Sequence, residues 1–144
     1  MKSQFRFLIF LFALSCTFSA PAFAQNQVLV MVSQSGKTSF RINEKDFALY
    51  LSETGQLLDY SINGYGDIDY DLNGRLRSIG SVAIDYDLDN RIRKIGAAAI
   101  SYDLESRIKQ VGQLLITYNL NNQITNIGNT HVGYNLNGRV TRLE

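Results

Sequence analysis

Sixteen residues after Tyr70-Asp71-Leu72-Asn73-Gly74-Arg75-Leu76 the chain reads Tyr86-Asp87-Leu88-Asp89-Asn90-Arg91-Ile92, and the phrase returns at Tyr102, Tyr118 and Tyr134. A self-similar array buries its apolar face by stacking one short unit on the next, so this period constrains the fold more than any single residue does. Within a unit, the alternating run Ile68-Asp69-Tyr70-Asp71-Leu72 leads into a turn pair and then Arg75-Leu76-Arg77, which predicts two half-buried strands around a tight turn. The expected fold class is all-β, an antiparallel meander of repeated hairpins curled into a rolled sheet or open barrel that covers its continuous apolar face.

Charge placement selects the turn. A two-residue loop at Asn73-Gly74 would set Asp71 opposite Leu76 and Tyr70 opposite Arg77, mixing charged and apolar groups on both faces. A three-residue loop, Leu72-Asn73-Gly74, sets Tyr70 opposite Leu76, Asp71 opposite Arg75 and Asp69 opposite Arg77, and it repeats the match as Asp87 with Arg91, Asp85 with Arg93 and Asp103 with Arg107. Its third residue must be left-handed, and Gly74, Asn90, Ser106, Asn122 and Gly138 fill that structural column. A parallel solenoid would instead stack Asp69 on Asp85 and Arg75 on Arg91, and like charges placed so are destabilising. One column, Ile79, Ile95, Val111, Ile127 and Leu143, runs out of phase with Leu76. Glycines follow four of these, so a bulge or tight return turn is expected to swing them inward.

Residues 1–24 read as a cleaved signal peptide: Lys2 and Arg6, an apolar run from Phe7 to Phe18, and the small-x-small site Ala22-Phe23-Ala24. Lipid attachment at Cys16 is the weaker alternative, because Ala13-Leu14-Ser15 suits it poorly. Cleavage removes the only cysteine and with it any disulfide, thiol nucleophile or thiolate metal site. Loss of Lys2 and Arg6 leaves 12 basic against 13 acidic side chains, a net charge of −1, which gives no sign of nucleic acid or an anionic membrane as partner. The apolar run is short for a membrane span and no second one follows. Residues 25–144 are expected to form one β-repeat domain, with an N-terminal hairpin and a degenerate repeat over 25–65 and five 16-residue repeats over 66–144. The compartment implied is the periplasm, or the outside, of a bacterium.

The phrase Tyr70-Asp71-Leu72-Asn73-Gly74-Arg75-Leu76 resembles the YD repeat of Rhs-type proteins, teneurins and bacterial insecticidal toxin complexes, over about residues 66–144. The resemblance implies β-hairpin arrays that serve as shells or surface scaffolds, with carbohydrate contact and no catalytic residues of their own. The short, regular period and the small number of units depart from those families and weigh against a shell that encloses cargo.

Chemistry has few candidates. The one histidine, His131, stands in the column of Ala83, Ala99 and Leu115, and no serine has an acid and a base beside it in the pattern, so no enzyme activity and no cofactor are expected. Asp67, Asp69 and Asp71 invite a calcium loop, but the glycine and glutamate of such a loop are out of place and arginines already match two of the acids. The tyrosines are expected to be core, with an exposed ladder for sugar rings as the alternative. Leu72, Leu88, Leu104, Leu120 and Leu136 fall at every turn tip, either as a lid over the end of the core or as an apolar stripe for a partner. Free strand edges allow a homo-oligomer or an edge-docked chain. The expected function is a non-catalytic binding or scaffold role toward a protein, with a carbohydrate-binding module using the tyrosines and the Tyr65 loop as the alternative.

Overall fold

The computed structural model describes residues 28–34 and 36–144, so the expected signal peptide lies outside the described residues. These form fourteen strands and no helix. Strands β1 (Val28–Val32), β2 (Thr38–Asn43), β3 (Phe47–Ser52) and β4 (Leu57–Ile62) make a four-stranded sheet in chain order. A ten-stranded sheet, also in chain order, holds β5 (Ile68–Tyr70), β6 (Leu76–Ile79), β7 (Val82–Tyr86), β8 (Ile92–Ile95), β9 (Ala98–Tyr102), β10 (Ile108–Val111), β11 (Leu114–Tyr118), β12 (Ile124–Ile127), β13 (Thr130–Tyr134) and β14 (Val140–Leu143). Every pairing is antiparallel. The meander is therefore the fold, and β5 and β14 remain as edges because the sheet does not close.

Each hairpin of the array closes through the three-residue turn that the charges select. The Gly74 N–H donates to the Asp71 carbonyl and the Asp71 N–H to the Arg75 carbonyl, both at 2.9 Å. Gly74 has φ 75°, and Asn90, Ser106, Asn122 and Gly138 fall between 61° and 73°, so the whole column is left-handed. The Asp71 carboxylate fastens the tip by accepting from the N–H groups of Asn73 and Arg75 at 2.8 and 2.9 Å. The two N-terminal hairpins carry the same turn, with Gly36 and Gly55 at φ 77° and the hydroxyls of Ser33 and Ser52 in place of the aspartate. All seven hairpins thus share one design, although Gly36, Gly55 and Gly74 are spaced 19 apart and the later units 16.

One part of the expected register is corrected. Tyr70 pairs with Leu76, but Asp69 pairs with Ser78 and Asp85 with Lys94, because a one-residue bulge takes Arg77 and Arg93 out of the ladder. Asp69 keeps only a loose contact with Arg77, 3.6 Å and exposed. The bulge has a packing cause. By rotating the strand half a step it turns Leu76 and Ile79, three residues apart, to the same side, and both are buried. The glycine after Ile79, and likewise after Ile95, Val111 and Ile127, serves the return turn, where Gly80 has a φ of 56° and Ser81 is not left-handed, as in a type II′ hairpin.

The four-stranded sheet packs against the ten-stranded one through one shared core. Phe40, Ile42, Phe47, Leu49 and Leu51 join Leu76, Ile84, Ile92, Ile108 and Ile124 in a single buried cluster. At one end the β3–β4 turn enters the mouth of the roll, where the Ile92 and Ile108 N–H groups donate to the Gly55 and Glu53 carbonyls at 2.9 and 2.8 Å. Gly55 lies hard against the Tyr102 ring, and a side chain there would have no room.

These two glycines separate two penalties. Gly74→Val should lose about 1–2 kcal/mol from backbone strain alone, since open space surrounds it. Gly55→Val should lose more, because Tyr102 must also move. Urea unfolding measures both, and wild-type stability for Gly74→Val would rule out the left-handed turn.

Candidate functional site at the turn tips

All the three-residue turns lie at one end of the strands, so their tips form a rim around the mouth of the roll. Leu72, Leu88, Leu104, Leu120 and Leu136 occupy the first tip position and are between 100 and 106 % exposed. None folds back over the core, so the lid expected of them is not there. They stand as a stripe of five apolar side chains, about 10 Å apart by the spacing of paired strands.

Arginines seal the core end instead. The Arg75 guanidinium is bound to its own turn's Asp71 at 2.6 Å and lies 4.6 Å from the ring centre of Tyr86, in the next unit. Arg91 repeats this between Asp87 (2.7 Å) and Tyr102 (4.2 Å), and Arg107 between Asp103 (2.7 Å) and Tyr118 (4.3 Å). The tyrosine hydroxyl then donates back into the preceding unit: Tyr86 to the Leu76 carbonyl at 2.9 Å, Tyr102 to Ile92, and Tyr118 to Ile108 at 2.8 Å. Arg75 and Arg107 also donate to Asn90 and Asn122 of the following tip. These half-buried tyrosines are core residues as expected, each with a ring face given to a cation. Tyr70 departs from that expectation: with no arginine before it, it is 48 % exposed and bonds Tyr60 through their hydroxyls at 2.7 Å.

Ionisation follows the contacts. The Arg75 backbone N–H, then its side chain and charge, hold Asp71 below the usual carboxylate range. For Asp87 and Asp103 burial pushes upward, but hydrogen bonds and charge from Arg91 and Arg107 outweigh it and lower both. Burial, and then the charge of Asp87, push the Tyr102 phenol up to about 12, and Tyr118 is raised further for the same first reason.

The pattern lapses toward the C-terminal end. Asn119 and Gln123 replace the acid and the arginine and bond each other at 3.0 Å, so no cation covers Tyr134, whose buried hydroxyl has no partner. Arg139 faces Asn135 and makes no ion pair among the described residues.

The other candidates lie elsewhere. Tyr65 is fully exposed, but on the β4–β5 loop at the opposite end from the leucines, so the structure does not bring it together with them. His131 is exposed and meets Asn126 at 3.0 Å through Nδ1, with no carboxylate on it. Among the described residues no three of His, Cys, Asp and Glu gather as metal ligands, and Asp71 is committed to Arg75.

Comparison with protein families and with characterised proteins finds no match. Function therefore has to be argued from the rim.

Sequence reasoning found the Asp–Arg pairs and missed the arginine's second contact. The signal was an eleven-residue step from Arg75 to Tyr86, Arg91 to Tyr102 and Arg107 to Tyr118, crossing the unit boundary. Acid should reveal the pairs. With folded-state values below 3.8, their stabilisation is complete above that pH and is lost as pH falls through the lowered values. A double Asp87→Asn, Asp103→Asn variant should be less stable at pH 7 and show a flatter decline below pH 3.8 in urea melts.

Proposed function

We propose that the chain is an exported, non-catalytic scaffold that holds a protein partner along its rim of turn-tip leucines. The observation that carries this reading is the complete exposure of five leucines on turns whose backbone is fixed by aspartate or asparagine caps and, in the first three units, arginine clamps. Covering one leucine is worth about 1.5–3 kcal/mol, so a partner that covers several gains substantial affinity without having to order the surface it meets. The YD-repeat resemblance points the same way, to a surface scaffold without catalysis, and the leader expected over 1–24 would deliver it to the periplasm or beyond.

A second copy is the less suitable occupant. Asp89 and Glu105, 75 and 62 % exposed, share Arg91 and Arg107 with Asp87 and Asp103, so each central tip has two acids to one arginine, and two rims laid together about a two-fold axis would set these net negative tips against each other. A partner with basic side chains beside its apolar ones meets no such conflict.

A photo-crosslinking residue in place of Leu104, used in cells of the source organism, should give an adduct with one identified protein, and the adduct should vanish with Leu88→Ser and Leu120→Ser. The same residue in place of Lys94, on the outer face, should give none. Equal adducts from both positions, or none from Leu104, would overturn the reading. The Leu88→Ser, Leu120→Ser variant itself should unfold within about 0.5 kcal/mol of wild type, because neither side chain packs on anything.

A further inference from the structure

The rim is not uniform along its length. Its second and third tips each carry a second acid, Asp89 and Glu105, which shares the turn arginine at 3.2 Å and leaves two carboxylates to one guanidinium, while the fourth tip has no charged side chain at all. Beyond it, the fourth and fifth tips and the β1–β2 turn enclose a cleft of about 420 Å³ lined by Lys37, Glu53, Asn121, Gln123, Asn137 and Arg139, among others, with no apolar side chain in the lining.

This cleft coincides with the lapse in the repeat. In the first three units the turn arginine, Arg75, Arg91 or Arg107, is held by a carboxylate of its own turn. Here Asn119, Gln123 and Asn135 stand where an acid, an arginine and an acid stood, and the effect is to leave Arg139 without its acid. Lys37 has no ion pair among the described residues either. Glu53, the one acid of the lining, sits within the electrostatic reach of Arg107 and Asp103 on the third turn. Two uncommitted cations thus share a polar recess with amide groups that can donate hydrogen bonds.

We infer that this cleft receives an acidic side chain of the same polypeptide that lies on the leucines, so that the partner is read in one direction: basic groups at Asp89 and Glu105, an acid at Lys37 and Arg139. The inference rests on the protein-partner reading and names the chemistry of that partner. Continuity decides for a polypeptide. Leu120 and Leu136 project fully exposed from the two tips that wall the cleft, so an occupant spanning both must combine apolar and acidic groups. A saccharide would find no aromatic ring in the lining on which to stack.

The test uses the isotope-labelled protein, its backbone amide resonances, and three probes: the acetylated, amidated peptide Leu-Glu-Leu-Glu-Leu-Glu, its lysine counterpart, and trigalacturonate. The acidic peptide should shift the amides of Gly36, Asn121 and Gly138, and the lysine peptide those of Asp89 and Glu105. Lys37→Gln with Arg139→Gln should weaken the acidic peptide at least about fivefold and leave the lysine peptide unchanged. The inference fails if the acidic peptide leaves the cleft amides unmoved, if it binds the double variant as tightly, or if trigalacturonate saturates the cleft where the peptide does not. Such a failure would leave the leucine reading standing, since crosslinking through Leu104 judges that reading without Lys37 or Arg139.

Discussion

The structure depends on an arginine placed between its own turn and the next. Arg75, Arg91 and Arg107 each close a turn by pairing with its aspartate and, on the other side, lie over the tyrosine that opens the following turn. An exposed ion pair contributes about 0–1 kcal/mol, and a cation over an aromatic ring about 0.5–2 depending on its desolvation. Neither figure is large. What matters is that one side chain makes both contacts, so the stability of each hairpin is coupled to its neighbour, as a stack of short units requires. A two-stranded hairpin alone is marginal at best in water. The tyrosine hydroxyl, bonded back to a carbonyl of the unit before, closes the same link from the other direction.

The leucines are exposed at every tip, with or without an arginine clamp on the same turn. A turn tip at the end of the sheet is the natural place for an apolar residue to fold inward and seal the core, and in the first three units a guanidinium covers that end. The β3–β4 turn plugs the rest, with Glu53 and Gly55 supplying carbonyls to the array. The leucine one step further along the loop has nothing left to cover and points into solvent. Leu120 and Leu136 are as exposed as the rest although Gln123 stands in place of the fourth arginine and Arg139 covers no ring among the described residues, so the turn geometry common to all five tips is what points the leucines outward.

Most of the fold was legible because register errors are unforgiving in a half-buried strand. Tyr70 opposite Leu76 and Asp71 opposite Arg75 follow from a single choice of loop length, and the left-handed column from Gly74 to Gly138 follows with it. The bulge at Arg77 was legible only as a symptom, the out-of-phase Ile79 column, since period-two alternation places a residue on a face without saying where an extra one is inserted. Asp85 consequently meets Lys94 and not Arg93. The β3–β4 hairpin was legible as a degenerate repeat despite its longer step to Gly74, while the kinship of the β1–β2 hairpin was hidden by serine doing the work of aspartate. The fate of the leucines was not legible at all. Lid and stripe demand the same residue at the same place, and the difference lies in the direction in which the side chain leaves the turn, which the residue pattern does not contain.

Variation among the units separates what the fold demands from what it tolerates. The buried columns read Leu76, Ile92, Ile108, Ile124 and Ile79, Ile95, Val111, two residue types in each, at positions where shape matters to packing. The acid and arginine of the turn give way to Asn119 and Gln123, and the hairpin still closes through the same hydrogen bonds. The tip column is leucine in all five units, although its side chain touches no part of the core and asparagine or serine would serve a type I turn as well or better. Packing cannot be the source of that uniformity, because the positions that do pack are freer. A requirement acting at the tips, on a surface the fold itself does not use, accounts for a residue repeated more strictly than the core it stands above.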